Sequence, residues 1–263
     1  ADLNDVNMID PFHLEAYGET TVNYNRDIEI FPVLNAIFEG IYGENPYKSP
    51  TDMGVNMAGN CIIDDEACKE ASYMEIIRRY YKAAGDVARG KGSENEVYKI
   101  ELLMKQARIT TEDRKVTVAA NERAEKLGVP AAAIEFAEGK IITSKTTSLL
   151  GASAALLLNA LKYLGGVDHD THLISPAAIE PIQELKTRYL GGTNPRLHTD
   201  EVLIALAISA TTDPNARKAL EQIPALTGCQ VHTSVMLSDV DMRTFKKLGV
   251  DLTSEPILKG KSK

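Results

Sequence analysis

Apolar residues recur every three or four positions through the first half of the chain, which is the period of an amphipathic helix. After an irregular lead-in over residues 1–23, this pattern and the Gly and Pro residues that interrupt it predict four helices, at residues 27–42, 64–88, 94–107 and 112–127. The last helix ends at Gly128, just before Pro130. The pattern therefore predicts a helical subdomain over residues 24–128.

Beyond Pro130 the pattern changes to short β-prone runs that alternate with helices. Runs at residues 133–136 and 140–143 predict a hairpin, and a helix over residues 147–164 follows at once. This helix is apolar almost all round, so both of its sides should be covered. The remaining predicted elements are a strand at 173–174, helices at 176–190 and 199–210, a helix from Asp213-Pro214, a strand at 230–237, a helix after Ser238 and a strand at 250–253.

This order of elements is typical of an α/β protein. A hairpin followed by alternating helices and strands predicts a three-layer α/β/α sandwich, with helices on both faces of a mixed sheet, over residues 129–263. The domain organisation is therefore a lead-in, a mostly helical subdomain and an α/β sandwich subdomain.

Composition and charge narrow the range of partners. The 37 acidic and 29 basic side chains give a net charge of −8, which opposes binding to nucleic-acid phosphates. The longest apolar run, residues 149–161, is too short to span a bilayer, so no membrane is expected as a partner. Three cysteines without Cys-x-x-Cys spacing fit reduced thiols in the cytoplasm, which is the predicted location.

The segment after the predicted hairpin carries the first candidate binding site. Lys145, Thr146, Thr147 and Ser148 come at the expected start of a helix, where unpaired N–H groups and the positive end of the helix dipole favour an anion. The sequence predicts a site for a phosphate or carboxylate there. The alternative is that the hydroxyls only cap the helix, which is the commoner use of Ser and Thr.

A second candidate precedes the predicted helix at 199–210, where residues 194–201 read NPRLHTDE. Arg196, His198 and Asp200 could bind one ligand if the sheet brings this helix start beside the first candidate. The alternative is that Thr199 or Asp200 caps the helix and Arg196 pairs with a nearby acid.

Two further segments have compositions that binding sites use. In the loop over residues 45–59, Lys48, Asp52 and Asn56 are candidate ligand contacts, with an oligomer contact as the alternative. The run Asp168-His-Asp-Thr-His172 has metal-ligand residue types, but two histidines on a short exposed turn are more often solvated. No metal site and no cofactor are predicted.

Residues 5–18 (DVNMIDPFHLEAYG), 45–59, 146–161 and 194–201 closely resemble a bacterial family catalogued as domain of unknown function 1846. Members are about twice as long, so the resemblance implies that this chain is the C-terminal half, and that a Gly-rich turn of phosphate-binding type lies in the other half. Some members have been labelled ATP-dependent peptidases, but His-Glu-x-x-His and Gly-x-Ser-x-Gly are absent from this sequence.

The resemblance also implies a fold. The family's C-terminal part is thought to resemble the cytidine-deaminase-like fold, which agrees with the predicted hairpin-then-helix order. The zinc ligands of a deaminase, His-x-Glu or Cys-x-Glu and then Pro-Cys-x-x-Cys, are missing at those helix starts, so zinc deamination is not expected. The resemblance supplies no catalytic residues.

Together these observations predict a cytosolic domain that binds a phosphorylated or nucleotide-like small molecule, as one half of a larger protein. Two other functions remain open. The first is a structural and oligomerisation module that supports an N-terminal catalytic half, and a homo-oligomer is expected. The second is a hydrolase with an unfamiliar site, which would require His198 and Asp200 to meet a Ser or Thr in one pocket.

Overall fold

The computed structural model describes residues 24–46 and 65–256, and the chain forms two compact units that divide between Arg114 and Lys115. We call residues 1–114 unit 1 and residues 115–263 unit 2. The division lies before the helix that the sequence analysis placed last in the helical subdomain, because that helix packs on the sheet of unit 2.

Unit 1 is helical. Its small apolar core holds Ile76, Ile77, Tyr81, Leu103, Met104 and Ile109, and Glu75 is buried beside it in ion pairs with Arg78 and Arg79. The helices are α1 (Tyr24–Tyr42), α2 (Asp65–Ala88) and α3 (Glu94–Ala107), followed by one 3₁₀ turn at Thr111–Asp113. Helix α3 begins where the sequence predicts, because the Ser93 hydroxyl accepts the N–H of Asn95 at 3.2 Å.

Unit 2 is an α/β unit with a four-stranded mixed sheet. Its elements, in chain order, are α4 (Lys115–Leu127), β1 (Ala131–Glu135), β2 (Ile141–Lys145), α5 (Ala152–Leu164), α6 (Pro176–Glu184), α7 (Thr199–Ser209), α8 (Pro214–Leu220), β3 (Gln230–Thr233), α9 (Asp239–Lys247) and β4 (Asp251–Ser254). The predicted α/β class is confirmed.

The strands lie in the order β2-β1-β3-β4. Strand β1 is antiparallel to both of its neighbours, with Ala133 opposite Thr143 on β2 and opposite His232 on β3, whereas β3 and β4 run parallel. Successive side chains point to opposite faces of a strand, so β1 contributes to two cores. Ala133 packs with Val116 and Ala120 of α4, while Ala132 and Ile134 join the large core that includes α5 and α7.

Helices therefore cover both faces of the sheet. Helix α4 lies on one face, where Lys115 also pairs with Glu135 of β1 at 3.6 Å. Helix α5 contacts β1 and β2 on the other face, and α7 and α8 pack against it. The nearly all-round apolar character that predicted a covered helix is confirmed for α5, because eight of its 13 residues are buried.

Several predicted boundaries are wrong, each for a local reason. The helix predicted from Thr147 begins at Ala152, because the Thr147 hydroxyl accepts the N–H groups of Leu149 and Leu150 in a tight turn. Leu173 and Ile174 are buried as a strand would be, but they form a bend. The strand predicted to reach residue 237 ends at Thr233.

The helix predicted over 176–190 is α-helical only to Glu184. It continues as a π-helical turn at Leu185–Tyr189, in which the N–H of Leu190 bonds to the carbonyl of Leu185 at 3.0 Å. Within the described residues, no helix has the length and hydropathy needed to cross a membrane.

Candidate functional site

The two segments singled out in the sequence meet in the structure. Leu150 and Leu197 form an isolated parallel β-bridge, in which the N–H of Leu197 bonds to the carbonyl of Leu149 at 3.0 Å. A longer bond of 3.4 Å joins the N–H of Gly151 to the carbonyl of Leu197. Because α5 begins at Ala152 and α7 at Thr199, this bridge places the two helix starts side by side.

Arg196 ties the second segment to the first. Its Nε donates to the carbonyl of Thr147 at 2.7 Å, across the bridge. The carbonyl of Ser148 accepts the side-chain amide of Gln183 at 3.2 Å, so α6 holds the same turn from another side. The structure thus brings Arg196, Thr147 and Ser148 together on one surface.

The other residues of the first segment lie at the end of β2. Lys145 is exposed at the last position of the strand, opposite Ala131 in the β1 register. Thr146 is partly buried, and its N–H donates to the carbonyl of Pro130 at 2.8 Å. The segment therefore presents one ammonium group and several hydroxyls before α5, although they precede the helix by more residues than the sequence predicted.

The first turn of α5 has no side-chain cap. Gly151 occupies the N-cap position and makes no side-chain hydrogen bond to the helix. The N–H groups of a helix start need acceptors, and in most helices an N-cap side chain supplies one of them. The start of α5 is therefore the more suitable of the two helix starts for an anion.

The start of α7 is occupied by carboxylates of the protein itself. Asp241, from the first turn of α9, accepts the backbone N–H and the hydroxyl of Thr199, each at 2.9 Å. Glu201 accepts the backbone N–H of His198 at 2.8 Å. These two negative side chains complement the positive end of the α7 dipole. An anionic ligand at that point would face repulsion.

Asp241 also holds the imidazole of His198. Its Oδ2 lies 3.0 Å from His198 Nδ1 and accepts the hydroxyl of Ser238 at 2.8 Å. Because a carboxylate only accepts hydrogen bonds, Nδ1 carries a proton and donates it. Asp241 is buried, at 7% exposure, whereas the side chain of His198 is 30% exposed. The pair therefore fixes the orientation of a histidine that solvent reaches.

The pair shifts both pKa values in the directions that favour an ion pair. The hydrogen bond to Asp241 raises the pKa of His198, more than its partial burial lowers it. Burial alone would raise the pKa of Asp241, but hydrogen bonds from His198, Thr199 and Ser238 outweigh it and lower that pKa. His198 thus keeps its positive charge to a higher pH than an isolated histidine.

A second ion pair, between Lys186 and Glu201, stabilises the start of α7. Lys186, in the π-helical turn, donates to Glu201 Oε2 at 2.7 Å and to the carbonyl of Arg196 at 2.6 Å. Asp200 is partly buried, and its Oδ1 accepts the N–H of Glu201 at 2.9 Å. His198 is therefore paired with Asp241 and not with Asp200.

Sequence reasoning missed Asp241, Ser238, Glu201 and Lys186. The sequence holds a signal for the first two, because Ser238-x-x-Asp241 has the spacing of a helix capping pair. That pattern predicts only the start of α9 and gives no sign that Asp241 also holds His198, 43 residues away. Lys48, Asp52 and Asn56 lie outside the described residues.

The surroundings of Cys229 and of the turn at residues 168–172 give no sign of a reactive or metal-binding role. Cys229 is buried at 6% exposure, and burial raises the pKa of its thiol, which disfavours the nucleophilic thiolate. At the turn of residues 168–172, Asp168 accepts the N–H of Asp170 at 2.9 Å. Throughout residues 24–46 and 65–256, no group of three or more His, Cys, Asp or Glu side chains is placed to hold a metal ion.

Comparison with known proteins identifies the family. Residues 1–108 match the model "Domain of unknown function DUF1846, N-terminal", and residues 112–263 match "Domain of unknown function DUF1846, C-terminal". The chain is thus not confined to the family's C-terminal domain, and the expectation that it is only the C-terminal half is corrected.

Several relatives carry the same family designation. UPF0371 proteins of Corynebacterium urealyticum and Corynebacterium diphtheriae are each 56% identical, over 97% of this chain and 52% and 51% of their own lengths. One from Streptococcus thermophilus is 54% identical, over 97% of this chain and 52% of its own length. The chain spans about half the length of these relatives. It belongs to the DUF1846 family, whose two models are described as domains of unknown function.

Proposed function

We propose that unit 2 binds a small anionic ligand, phosphorylated or nucleotide-like, beside the Leu150–Leu197 bridge, as part of a longer protein. The observation that carries this proposal is the hydrogen bond from Arg196 to Thr147, which are 49 residues apart. This bond joins the two candidate segments into a single surface. The uncapped start of α5 lies at the same place.

The chemistry of this surface suits a phosphate group. Among the described residues, Arg196 uses only Nε, so its two terminal nitrogens remain as paired donors, the arrangement that binds phosphate oxygens best. His198 forms an ion pair with Asp241, so Arg196 and Lys145 supply the net positive charge of this surface. Lys145 and the hydroxyls of Thr146 and Ser148 supply further donors, whereas the Thr147 hydroxyl already donates to the carbonyl of Leu150 at 3.4 Å. Asp200 stays a predicted contact of this ligand, and Lys48, Asp52 and Asn56 stay candidates from the sequence alone.

Removing the two cations tests the proposal directly. In the Lys145→Ala/Arg196→Ala variant we expect that inorganic phosphate and nucleotides no longer raise the melting temperature. For the unchanged chain, ligand at a hundred times its Kd adds about 2.7 kcal/mol, which is a rise of roughly 5–10 °C for a unit of this size. The measurement is a thermal-shift titration.

A matched control removes the same charges elsewhere. The Lys140→Ala/Arg243→Ala variant loses two exposed cations outside both candidate segments, and its response to phosphate should be unchanged. If the Lys145→Ala/Arg196→Ala variant is stable and keeps its full response, the ligand does not bind at this surface.

We further propose that the sheet of unit 2 is a cytidine-deaminase-like scaffold put to another use. Support comes from the β1–β2 hairpin, which α5 follows as the next element, and from the antiparallel placement of β1 against both neighbours. The start of α5 reads Gly151-Ala152-Ser153, without a zinc ligand.

The oligomerisation alternative has an observation of its own. Helix α7 buries Val202 and Leu206, yet Ile204 and Ile208 on its outer side are 61% and 66% exposed. A helix that is apolar all round is normally covered on both sides. If copies of the chain pair through this side, Ile208→Lys should lower the mass measured by light scattering. Asn215→Lys, at an exposed position on α8, should leave that mass unchanged.

The hydrolase alternative has less support. His198 does meet an acid, but the hydroxyls of Ser238 and Thr199 donate to Asp241 instead of to the imidazole. A serine or threonine nucleophile must donate to its general base. Among the described residues, no serine or threonine hydroxyl donates to the His198 imidazole.

A further inference from the structure

Helix α1 exposes an apolar stripe. Val33, Ile37 and Ile41 follow one another at four-residue intervals and are 61%, 46% and 66% exposed. Over residues 33–42, Asn35 and Glu39 are the only charged or amide side chains. A helix with one face in water normally carries charged and polar residues there. The composition of α1 is that of a helix covered on more sides than the described residues of unit 1 cover.

The neighbouring helix has the same property. Helix α3, which packs beside α1, leaves Tyr98 and Leu102 58% and 42% exposed, one helical turn apart. Unit 1 itself buries only six large apolar side chains in its core, within the described residues. Exposed large apolar side chains that cluster on two adjacent helices mark an interaction surface.

The lengths of the relatives indicate what covers this surface. The 256 aligned residues are 52% of the C. urealyticum protein, so that protein has about 490 residues. The N-terminal family model ends at residue 108 of this chain, where unit 1 is almost complete, and the C-terminal model covers unit 2. The relatives thus contain about as many residues again as this chain, and those residues are available to cover the surface.

We propose that the stripe of Val33, Ile37 and Ile41, together with Tyr98 and Leu102, packs against an apolar face in the half of the full-length family protein that this chain does not span. A half attached by the same polypeptide is present at millimolar effective concentration, so a small surface is enough to hold it. A free second copy would need a surface of about 800 Å² on each partner, which five side chains do not provide.

Hydroxyl-radical labelling tests the proposal in two proteins, this 263-residue chain and the full-length C. urealyticum relative. Ile37, Ile41 and Tyr98 should label as exposed side chains in this chain, and the aligned positions of the relative should label at least ten times more slowly. Tyr163, exposed in unit 2, serves as the reference in this chain. Equal labelling in both proteins would overturn the proposal. So would protection in this chain that grows with its concentration, which would identify a second copy.

A pair of substitutions gives an independent measurement. In this chain, Ile37→Lys and Ala36→Lys both place a lysine at an exposed position of α1, and neither should shift the melting temperature by more than about one degree. In the relative, lysine at the position aligned with Ile37 should lower the melting temperature by several degrees, and lysine at the position aligned with Ala36 should not. A loss of stability in this chain on Ile37→Lys, or none in the relative, would overturn the proposal.

Discussion

Asp241 and His198 form a pair whose contribution to stability depends on pH. The pKa of His198 is raised from 6.5, so its contribution is complete below pH 6.5 and is lost as the pH rises through the higher folded-state value. The pKa of Asp241 is lowered from 3.8, so its contribution is complete above pH 3.8 and is lost as the pH falls through the lower folded-state value. The pair stabilises unit 2 fully between these two ordinary values.

We therefore expect the free energy of unfolding to respond to His198→Gln in a pH-dependent way. Loss of the charged hydrogen bond should cost on the order of 1 kcal/mol near pH 5–6, and the cost should fall as the pH rises through the raised folded-state pKa of His198. Urea unfolding at a series of pH values measures this fall. A cost that stays the same at every pH above 6.5 at which the chain remains folded would contradict the assignment of the charge to this pair.

The hydrogen bond between Asp241 and His198 gives a second prediction, which concerns the pKa of His198. In Asp241→Asn the carboxylate charge is lost, so the pKa of His198, followed by NMR, should fall, and unfolding should become easier by about 1–3 kcal/mol. Asp239→Asn removes an exposed carboxylate from the same helical turn and is the control. It should leave the pKa of His198 nearly unchanged.

The two glycines that flank α5, Gly151 and Gly165, differ in the space that they leave for a side chain. A Cβ on Gly165 would lie 3.1 Å from the carbonyl oxygen of Leu161 and 3.3 Å from that of Lys218, so Gly165 lets α5 and α8 approach closely. A Cβ on Gly151 would lie 3.8 Å from its nearest neighbour, the carbonyl oxygen of Leu197.

We expect Gly165→Ala to lower the free energy of unfolding by about 1–3 kcal/mol through overpacking. Gly151→Ser should keep it or raise it by a few tenths of a kcal/mol, because serine caps helix starts slightly better than glycine. Urea unfolding of both variants makes the comparison. A destabilised Gly151→Ser variant would mean that the start of α5 is more crowded than the structure has it.

Element boundaries were predictable where the signal is local. Ser175, Asp213 and Ser238 each cap the helix that follows, because the hydroxyl or carboxylate bonds within its own turn. The start of α5 was not predictable, because the Leu150–Leu197 bridge competes with helix formation and joins residues far apart in sequence. The strand predicted at Leu173 and Ile174 was wrong for another reason, because the burial of two apolar residues does not distinguish a strand from a bend.

The candidate site was predictable only in part. Arg196 and His198 were chosen for their residue types before a helix start, but the sequence analysis could state only as a condition that this start lies beside the other one. Their partners could not be found in that way. Asp241 reaches His198 from a separate helix, and the occupied start of α7 becomes apparent only when α7 and α9 are seen together.

At the scale of the whole molecule, the division of the chain predicts which fragment folds. A fragment of residues 112–263 keeps α4 on the sheet and should unfold cooperatively on heating. A fragment of residues 129–263 lacks α4, which exposes Ala133 and Ile141 and removes Asn121, one of the hydrogen-bond partners of Glu255. It should aggregate or melt at least 10 °C lower, because one whole face of the sheet becomes open to water. Calorimetry of both fragments compares them, and equal melting temperatures would show that α4 belongs to the helical subdomain.

The pairing of β1 with β3 has a consequence for the order of events during synthesis. Ala132 lies opposite Thr233, so the centre of the sheet needs a strand that leaves the ribosome about one hundred residues after its partner. Until then, the hairpin of β1 and β2 presents the unpaired edge of β1, and such edges invite pairing with other chains. Contacts this distant in sequence also form slowly. Until β3 has been synthesised, a strand from a neighbouring chain can therefore pair with β1 at the edge that β3 later occupies, which would lead to aggregation.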